Sequence, residues 1–248
     1  EESGFDCELV IRTYESDHLD RYDANIVKNG YNAIIIGACS RKNEIHLEKL
    51  KPQMPILLIN RLSEKYNTVG TDNDQVGMLA AKAFRENGYK NAAVFASNSS
   101  YIASNIRVNA FIESCKKSGI KVKNADVFRG ESTAEAGYRM GVMFCRMKNR
   151  PKAVFCDSDA IAFGAIKAFN ENNIKFNKDV VLITVDMALL DITVYSSPSL
   201  SVVEMPNEEI GRATIRLLRD KIVNNSTEPE HIILSPKLII RESFNNND

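Results

Sequence analysis

The sequence predicts an α/β fold of two similar lobes, in which parallel sheets are flanked by helices. Three observations predict it. Short apolar runs alternate with longer amphipathic ones along the whole chain, which is the strand–helix alternation of α/β proteins. Runs such as Asn32 to Gly37 (NAIIIG) and Ala92 to Ser97 (AAVFAS) are apolar through their middle, as strands buried on both faces are. The series also starts afresh near Lys90, with no Gly/Ser- or Pro-rich linker between the halves. The lobes are therefore expected to share several chain crossings rather than one hinge.

Taken in order, Glu8 to Arg12 (ELVIR) reads as a strand and Leu19 to Asn29 as a polar helix. Asn32 to Gly37 is a buried strand, and Leu47 and Leu50 fit a short helix ahead of Pro52. Ile56 to Asn60 (ILLIN) and Thr68 to Asp72 (TVGTD) are the next extended runs. Val76, Leu79, Ala80, Ala83 and Phe84 then recur at the spacing of one buried helical face. Gly88 stops that helix, and Asp72 or Asn73 can cap its start. The second series opens with Ala92 to Ser97 and the polar loop Asn98-Ser99-Ser100. A helix with Phe111, Ile112 and Cys115 inward ends at Gly119. Lys121 to Phe128 reads as a strand, and Ala134 to Arg146 as a helix with Ala136, Met140, Met143 and Phe144 on its apolar side.

The stretch Pro151 to Asp186 carries the strongest pattern. A strand through Ala153-Val154-Phe155 runs into the polar cluster Asp157-Ser158-Asp159, a small-residue helix follows, and Val180 to Val185 stops on Asp186. Ligands of open α/β sheets sit beyond the carboxyl ends of the strands. Acids at two such ends suit a ligand rich in hydroxyls. A loop from Met187 to Ser199, a strand from Leu200 to Met205, and a helix with Ile210, Ala213, Leu217, Leu218 and Ile222 on one side come next. Two short extended runs, Ile232 to Leu234 and Leu238 to Ile240, close the chain, and Asn245-Asn246-Asn247 is a frayed end.

Composition narrows the function. The chain has 248 residues, 44% hydrophobic and 26% charged, with 32 basic and 32 acidic side chains. A free-standing nucleic-acid binder would carry a basic excess. No apolar run approaches the roughly 20 residues of a membrane span, and no signal peptide is recognisable. Five cysteines without C-x-x-C spacing read as small buried hydrophobes in a reducing compartment rather than a disulfide framework or zinc site. His18, His46 and His231 lie in no metal or catalytic motif, and the glycine fingerprints of dinucleotide and phosphate binding are absent from the sequence. No enzyme, no metal and no cofactor are expected.

Several segments together resemble the effector-binding region of bacterial transcription regulators of the LacI/GalR type. Pro55 to Arg61 is similar to a strand of the first lobe. Val69 to Asn73 with Gly77, Ala80 and Gly88-Tyr89 is similar to the family's V-x-x-D-N…G-x-x-A…G-(H/Y) segment. Arg107 with Phe111 fits R…G-F, with Ala110 in place of the usual glycine. Pro151 to Gly164 resembles P-x-A-V-F-x-x-x-D-x-x-A-x-G, Asp186 the acid of G-(F/Y)-D, Pro198 to Ser201 P-x-L-T, and Leu238 to Ser243 (LIIRES) the closing L-(I/V)-x-R-x-S. Each motif is weak alone; their common order and spacing is specific.

The resemblance implies a periplasmic-binding-protein type I-like fold with a ligand cleft between the lobes. It implies an N-terminal lobe of residues 1–97 plus 206–229 that lacks its first strand, because the match begins near Gly4-Phe5. The C-terminal lobe is then 98–205 plus 230–245, and the helix-turn-helix headpiece of such regulators is not in this sequence. The implied partners are a small-molecule effector, a sugar or sugar derivative, a second copy of the chain, and DNA only through that headpiece. No membrane partner and a cytoplasmic location follow.

Arg107 is implied to fork onto ligand oxygens, against the plainer reading of a solvated helix arginine. Asp186 would accept from vicinal hydroxyls, or cap a loop. Ser158 stands at a ligand-contacting position. Asp159 and Asp72 are ligand candidates for which helix capping is the simpler account. Ser132 replaces a large aromatic that stacks on ligand in similar regulators. The rival readings are a secreted or periplasmic sugar-binding protein of a transport system, and a small-molecule enzyme on the same kind of fold.

Overall fold

The computed structural model describes residues 7–15, 17–22, 26, 30–98, 102–186 and 192–244. In chain order its elements are β1 (Ile34–Ile36), α1 (Arg41–Leu50), β2 (Ile56–Ile59), β3 (Asn67–Thr71), α2 (Asn73–Glu86), β4 (Ala92–Ser97), α3 (Ile102–Lys117), β5 (Val127–Gly130), α4 (Ala134–Cys145), β6 (Ala153–Cys156), α5 (Asp159–Glu171), β7 (Val181–Asp186), α6 (Ile192–Tyr195), β8 (Ser201–Glu204), α7 (Asn207–Val223), β9 (His231–Leu234) and β10 (Lys237–Ile239).

Two compact units result, Glu1–Thr71 with Asn207–Leu234, and Asp72–Pro206 with Ser235–Asp248. The backbone passes from one to the other three times, in keeping with the absence of a linker. The division differs from the expected boundaries at 97 and 230. Strand pairing and helix packing account for both differences. β4 hydrogen-bonds to β5 and β6, and α2 packs on α3 through Gly77, so both go with the larger unit. β9 pairs with β3, so it joins the smaller one, while β10 pairs with β8.

In the first unit the sheet order is β1-β2-β3-β9, parallel throughout. Ser40 caps α1 by accepting from the Asn43 amide. Leu57 and Val69 are fully buried against Ile210, Leu217 and Leu218 of α7, which is the apolar side anticipated from their spacing. Asn67 ties two strands together. Its Nδ2 donates to the Ile56 carbonyl at 3.0 Å, and its Oδ1 accepts from the Glu230 amide at 3.1 Å. Lys221, 2% exposed, reaches from α7 to the Glu228 carbonyl and, at 2.6 Å, to Glu230. That pair of contacts satisfies a buried ammonium and fixes the turn into β9.

The second unit holds a six-stranded sheet, ordered β10-β8-β7-β6-β4-β5, antiparallel only at β10. Both faces are covered, as the continuous apolar runs require. Val94, Phe155, Val181 and Ile183 face α2 and α3, with Phe111 and Phe155 stacked at 4.6 Å. Phe95, Val154 and Leu182 face α4 and α5. Glycines set how closely these helices cross. A Cβ on Gly77 would run into the Arg107 carbonyl and the Phe111 amide, and one on Gly164 into the Ala134 carbonyl and the Tyr138 amide. The backbones of α2 and α3, and of α4 and α5, therefore touch directly.

Several local expectations are corrected. Glu8 to Arg12 forms no strand: no described residue pairs with it, and Leu9 and Ile11 are 69% and 79% exposed. Of Leu19 to Asn29, a short 3-10 turn at Leu19–Tyr22 and the buried Ile26 are described; 23–25 and 27–29 lie outside the described residues. The strand expected from Lys121 begins at Val127, because a 3-10 turn at Asn124–Asp126, with Asp126 accepting from the Lys123 amide, intervenes. Met143 is exposed, since the buried stripe of α4 runs through Ala136, Gly137, Met140, Gly141 and Phe144. The stretch 187–199 contains α6, with 187–191 outside the described residues. Residues 1–6, 99, 100 and 245–248, which include the Gly4-Phe5 start, two members of the polar loop and the Asn-rich end, also lie outside them. The cysteines are all free; Cys39, Cys115 and Cys156 are buried, Cys145 is half-buried and Cys7 is exposed.

Candidate functional site

The carboxyl ends of β4, β5, β6 and β7 gather four of the six candidate residues and one acid outside that set, Asp157. β4 and β6 are neighbours, so Ser97 at the end of one lies beside Asp157 after the other. Asp157 Oδ2 accepts from the Ser97 amide at 2.9 Å, from the Ser97 hydroxyl at 2.7 Å and from the Ser104 hydroxyl. The two hydroxyls are themselves 2.8 Å apart. All three side chains are buried, Asp157 to 1% exposure. Its other oxygen, Oδ1, is buried without a hydrogen-bond partner among the described residues.

Ser104 and Arg107 stand three residues apart on α3 and share a helix face. Arg107 is 4% exposed rather than solvated. Burial pushes its pKa down, and the neighbouring Asp157 charge works the other way. A buried guanidinium beside a buried carboxylate is held for a reason other than solubility. The close Gly77 crossing anchors the backbone of that turn.

Ser158 begins α5 as its N-cap, with its Oγ accepting from the Ile161 amide at 3.4 Å and from the Ser132 hydroxyl at 3.0 Å. The capping role expected for Asp159 thus falls one residue earlier. Asp159 is the first helical residue, buried, with Oδ1 accepting from the Ala160 amide at 2.7 Å. Its charge sits at a helix N-terminus, where the peptide dipoles favour it. Ser132 precedes Thr133, the cap of α4, so two helix N-termini are joined by a serine–serine bond.

Asp186 ends β7 half-buried, with the Thr193 hydroxyl of α6 at 3.4 Å. Arg241 reaches the same hydroxyl at 3.4 Å and the Leu200 carbonyl at 2.7 Å. Asp72 caps α2 through the Gln75 amide at 2.9 Å, and no described contact brings it to the other candidates. Asp157, Ser97 and Ser104 escaped the sequence reading as site residues. The signal for them is the strand order β6-β4, which places two polar strand ends together. Among the described residues no group of His, Cys, Asp or Glu can hold a metal ion, and no helix is long and apolar enough to cross a membrane. A surface depression of about 430 Å³ in the first unit, lined by Asp17, Lys42 and His46 among others, includes none of the candidates.

Residues 81–244 match the periplasmic binding protein-like domain family. The HTH-type transcriptional repressor PurR of Photobacterium profundum is 25% identical over 195 residues, covering 78% of this chain and 58% of its own. The chain thus spans little more than half of such curated relatives. A LacI family transcription regulator from Clostridium acetobutylicum superposes with a TM-score of 0.87 at 33% identity, over 92% of this chain and 84% of that one. A LacI family transcriptional regulator from Enterococcus faecium with bound ribose superposes at 0.77 and 21% identity, over 90% and 82%. At that identity the likeness concerns the fold.

Proposed function

The chain belongs to the LacI family of transcription regulators, on that family's periplasmic binding protein-like domain, and from that premise we propose that it is the effector-binding and dimerisation region of a ligand-responsive DNA-binding regulator. The observation that carries the reading is Arg107, a buried guanidinium within electrostatic reach of Asp157 and one helical turn from Ser104, which bonds that acid. Buried arginine forks suit vicinal ligand oxygens. Ser158, Ser132 and Asp186 supply hydroxyl and carboxylate partners at neighbouring strand ends. A sugar or sugar derivative is the proposed effector, in keeping with the ribose bound to the Enterococcus faecium regulator.

Binding acts by population shift: the effector favours one conformer of a homodimer, and with it one spacing of the DNA-binding headpieces. The formal charge of +0 suits a region that leaves phosphate contacts to a headpiece. The site performs no catalysis, and the protein works in the cytoplasm. A sugar-binding protein of a transport system shares the fold, but the relatives above are transcription regulators.

Isothermal titration calorimetry against a sugar panel tests the site. Arg107→Ala is expected to abolish binding of any sugar the native chain takes up, while thermal unfolding stays cooperative. Unchanged affinity in that variant removes Arg107 from the site and the reading with it.

A further inference from the structure

Asp157 is the buried acid that the proposed site has not yet used. One of its oxygens is saturated by three donors, two from Ser97 and one from Ser104, which fixes the carboxyl group rigidly. The other oxygen is buried with no partner among the described residues. Unsatisfied buried acceptors are uncommon and call for a donor. The group lies within electrostatic reach of Arg107, whose helix also provides Ser104. The positive charge that would attract an anion is thus already balanced inside the protein.

We propose that Asp157 sets the charge and donor pattern of the ligand, so that the site selects an uncharged or cationic polyol presenting an O–H or N–H donor and rejects phosphorylated or carboxylated ones. This rests on the effector-binding reading above and narrows it. A phosphate placed on Arg107 would meet the Asp157 charge. Like charges about 6 Å apart at an effective dielectric near 20 weaken binding by roughly a hundredfold. A hydroxyl or ammonium that reaches Oδ1 of Asp157 itself would instead complete the hydrogen bonding of that oxygen.

The test uses the 248-residue chain and matched probes: D-ribose against D-ribose 5-phosphate, and D-glucose and D-glucosamine against D-glucose 6-phosphate, by calorimetry. The uncharged or amino member is expected to bind at least tenfold more tightly than its phosphorylated counterpart. Asp157→Asn keeps one oxygen for Ser97 and Ser104 and turns the second into an NH2 donor, so it should shrink that ratio at least tenfold. Inorganic phosphate in a thermal-shift assay gives a readout that needs no sugar. It should raise the melting temperature of Asp157→Asn and leave that of the native chain unmoved. A phosphorylated probe that binds the native chain as tightly as its neutral counterpart overturns the proposal. So does a phosphate response that is the same in both proteins, or one in the native chain that Arg107→Ala removes. If no sugar binds while phosphate stabilises Asp157→Asn alone, the charge selection stands and the sugar reading falls.

Discussion

Replacing Gly164 by alanine isolates the packing that holds the Ser132–Ser158 end of the site. A Cβ at this position would lie 2.8 Å from the Ala134 carbonyl carbon, and nearer still to the Ala134 oxygen and Tyr138 nitrogen. Ordinary carbon–carbon contact is about 3.5–4.0 Å, so α4 and α5 must part by roughly 0.7 Å or more. A gap of that order forfeits about a quarter to a half of the dispersion attraction across the crossing. Overpacking of this kind costs about 3 kcal/mol at the upper end of its usual range. Alanine's better helix propensity returns about 1 kcal/mol, which leaves a net loss near 2 kcal/mol. At Gly211 of α7 an added Cβ would meet nothing within 4 Å, so Gly211→Ala should stabilise by roughly 0.5–1 kcal/mol from propensity alone. Urea unfolding followed by circular dichroism compares the two variants with the native chain. Opposite signs are expected, and a Gly164→Ala midpoint equal to the native one would refute the idea that backbone contact sets this crossing.

Two further outcomes follow from the same geometry. Ser158→Ala removes both the α5 cap and the acceptor of the Ser132 bond, and should cost about 1–2 kcal/mol in urea unfolding; a larger loss for Asp159→Ala would return the cap to that residue. Glu242 accepts from the Ser199 amide and hydroxyl, which hold its pKa below the ordinary 4.5. A depressed carboxylate stabilises the fold above its unfolded-state pKa and loses that contribution as pH falls through the folded value. The melting-temperature advantage of the native chain over Glu242→Gln should therefore be full near pH 7 and shrink below about pH 4.5; a gap that widens on acidification contradicts the assignment.

Much of the architecture was legible because its signals are local. The face Val76 to Phe84 and the face Ile210 to Leu218 appear as buried stripes where their spacing puts them. Uninterrupted runs such as AAVFAS became strands covered on both sides. What escaped depends on contacts distant in sequence. Glu8 to Arg12 has strand-forming residues, but a strand also needs a partner, and none of the described residues provides one. The lobe boundary could not be drawn because Ile232 to Leu234 and Leu238 to Ile240 look alike as sequence yet join different sheets. In the candidate site, residue types at strand ends were readable, whereas roles were not. Ser158 and Asp159 are both good caps, and only the backbone geometry chooses the serine. Asp157 gained its importance from Ser97, 60 positions away, which only the pairing of β4 with β6 brings near.

The threading of the backbone through its two units has a consequence for synthesis on the ribosome. β9 completes the first sheet beside β3, and the Thr68–His231 side-chain contact joins residues 163 positions apart. When β1, β2 and β3 emerge, one edge of β3 has no neighbour, and α7, which covers Leu57 and Val69, has not been made. Five of the six strands of the other sheet, β4 to β8, are translated during that interval. The larger unit can thus assemble most of its sheet first, needing β10 and the 3-10 turn Glu242–Phe244 afterwards, while the smaller waits with an open edge and an uncovered apolar face. Open edges pair readily with other chains, so the nascent protein is most exposed to misassembly before residue 234 leaves the ribosome.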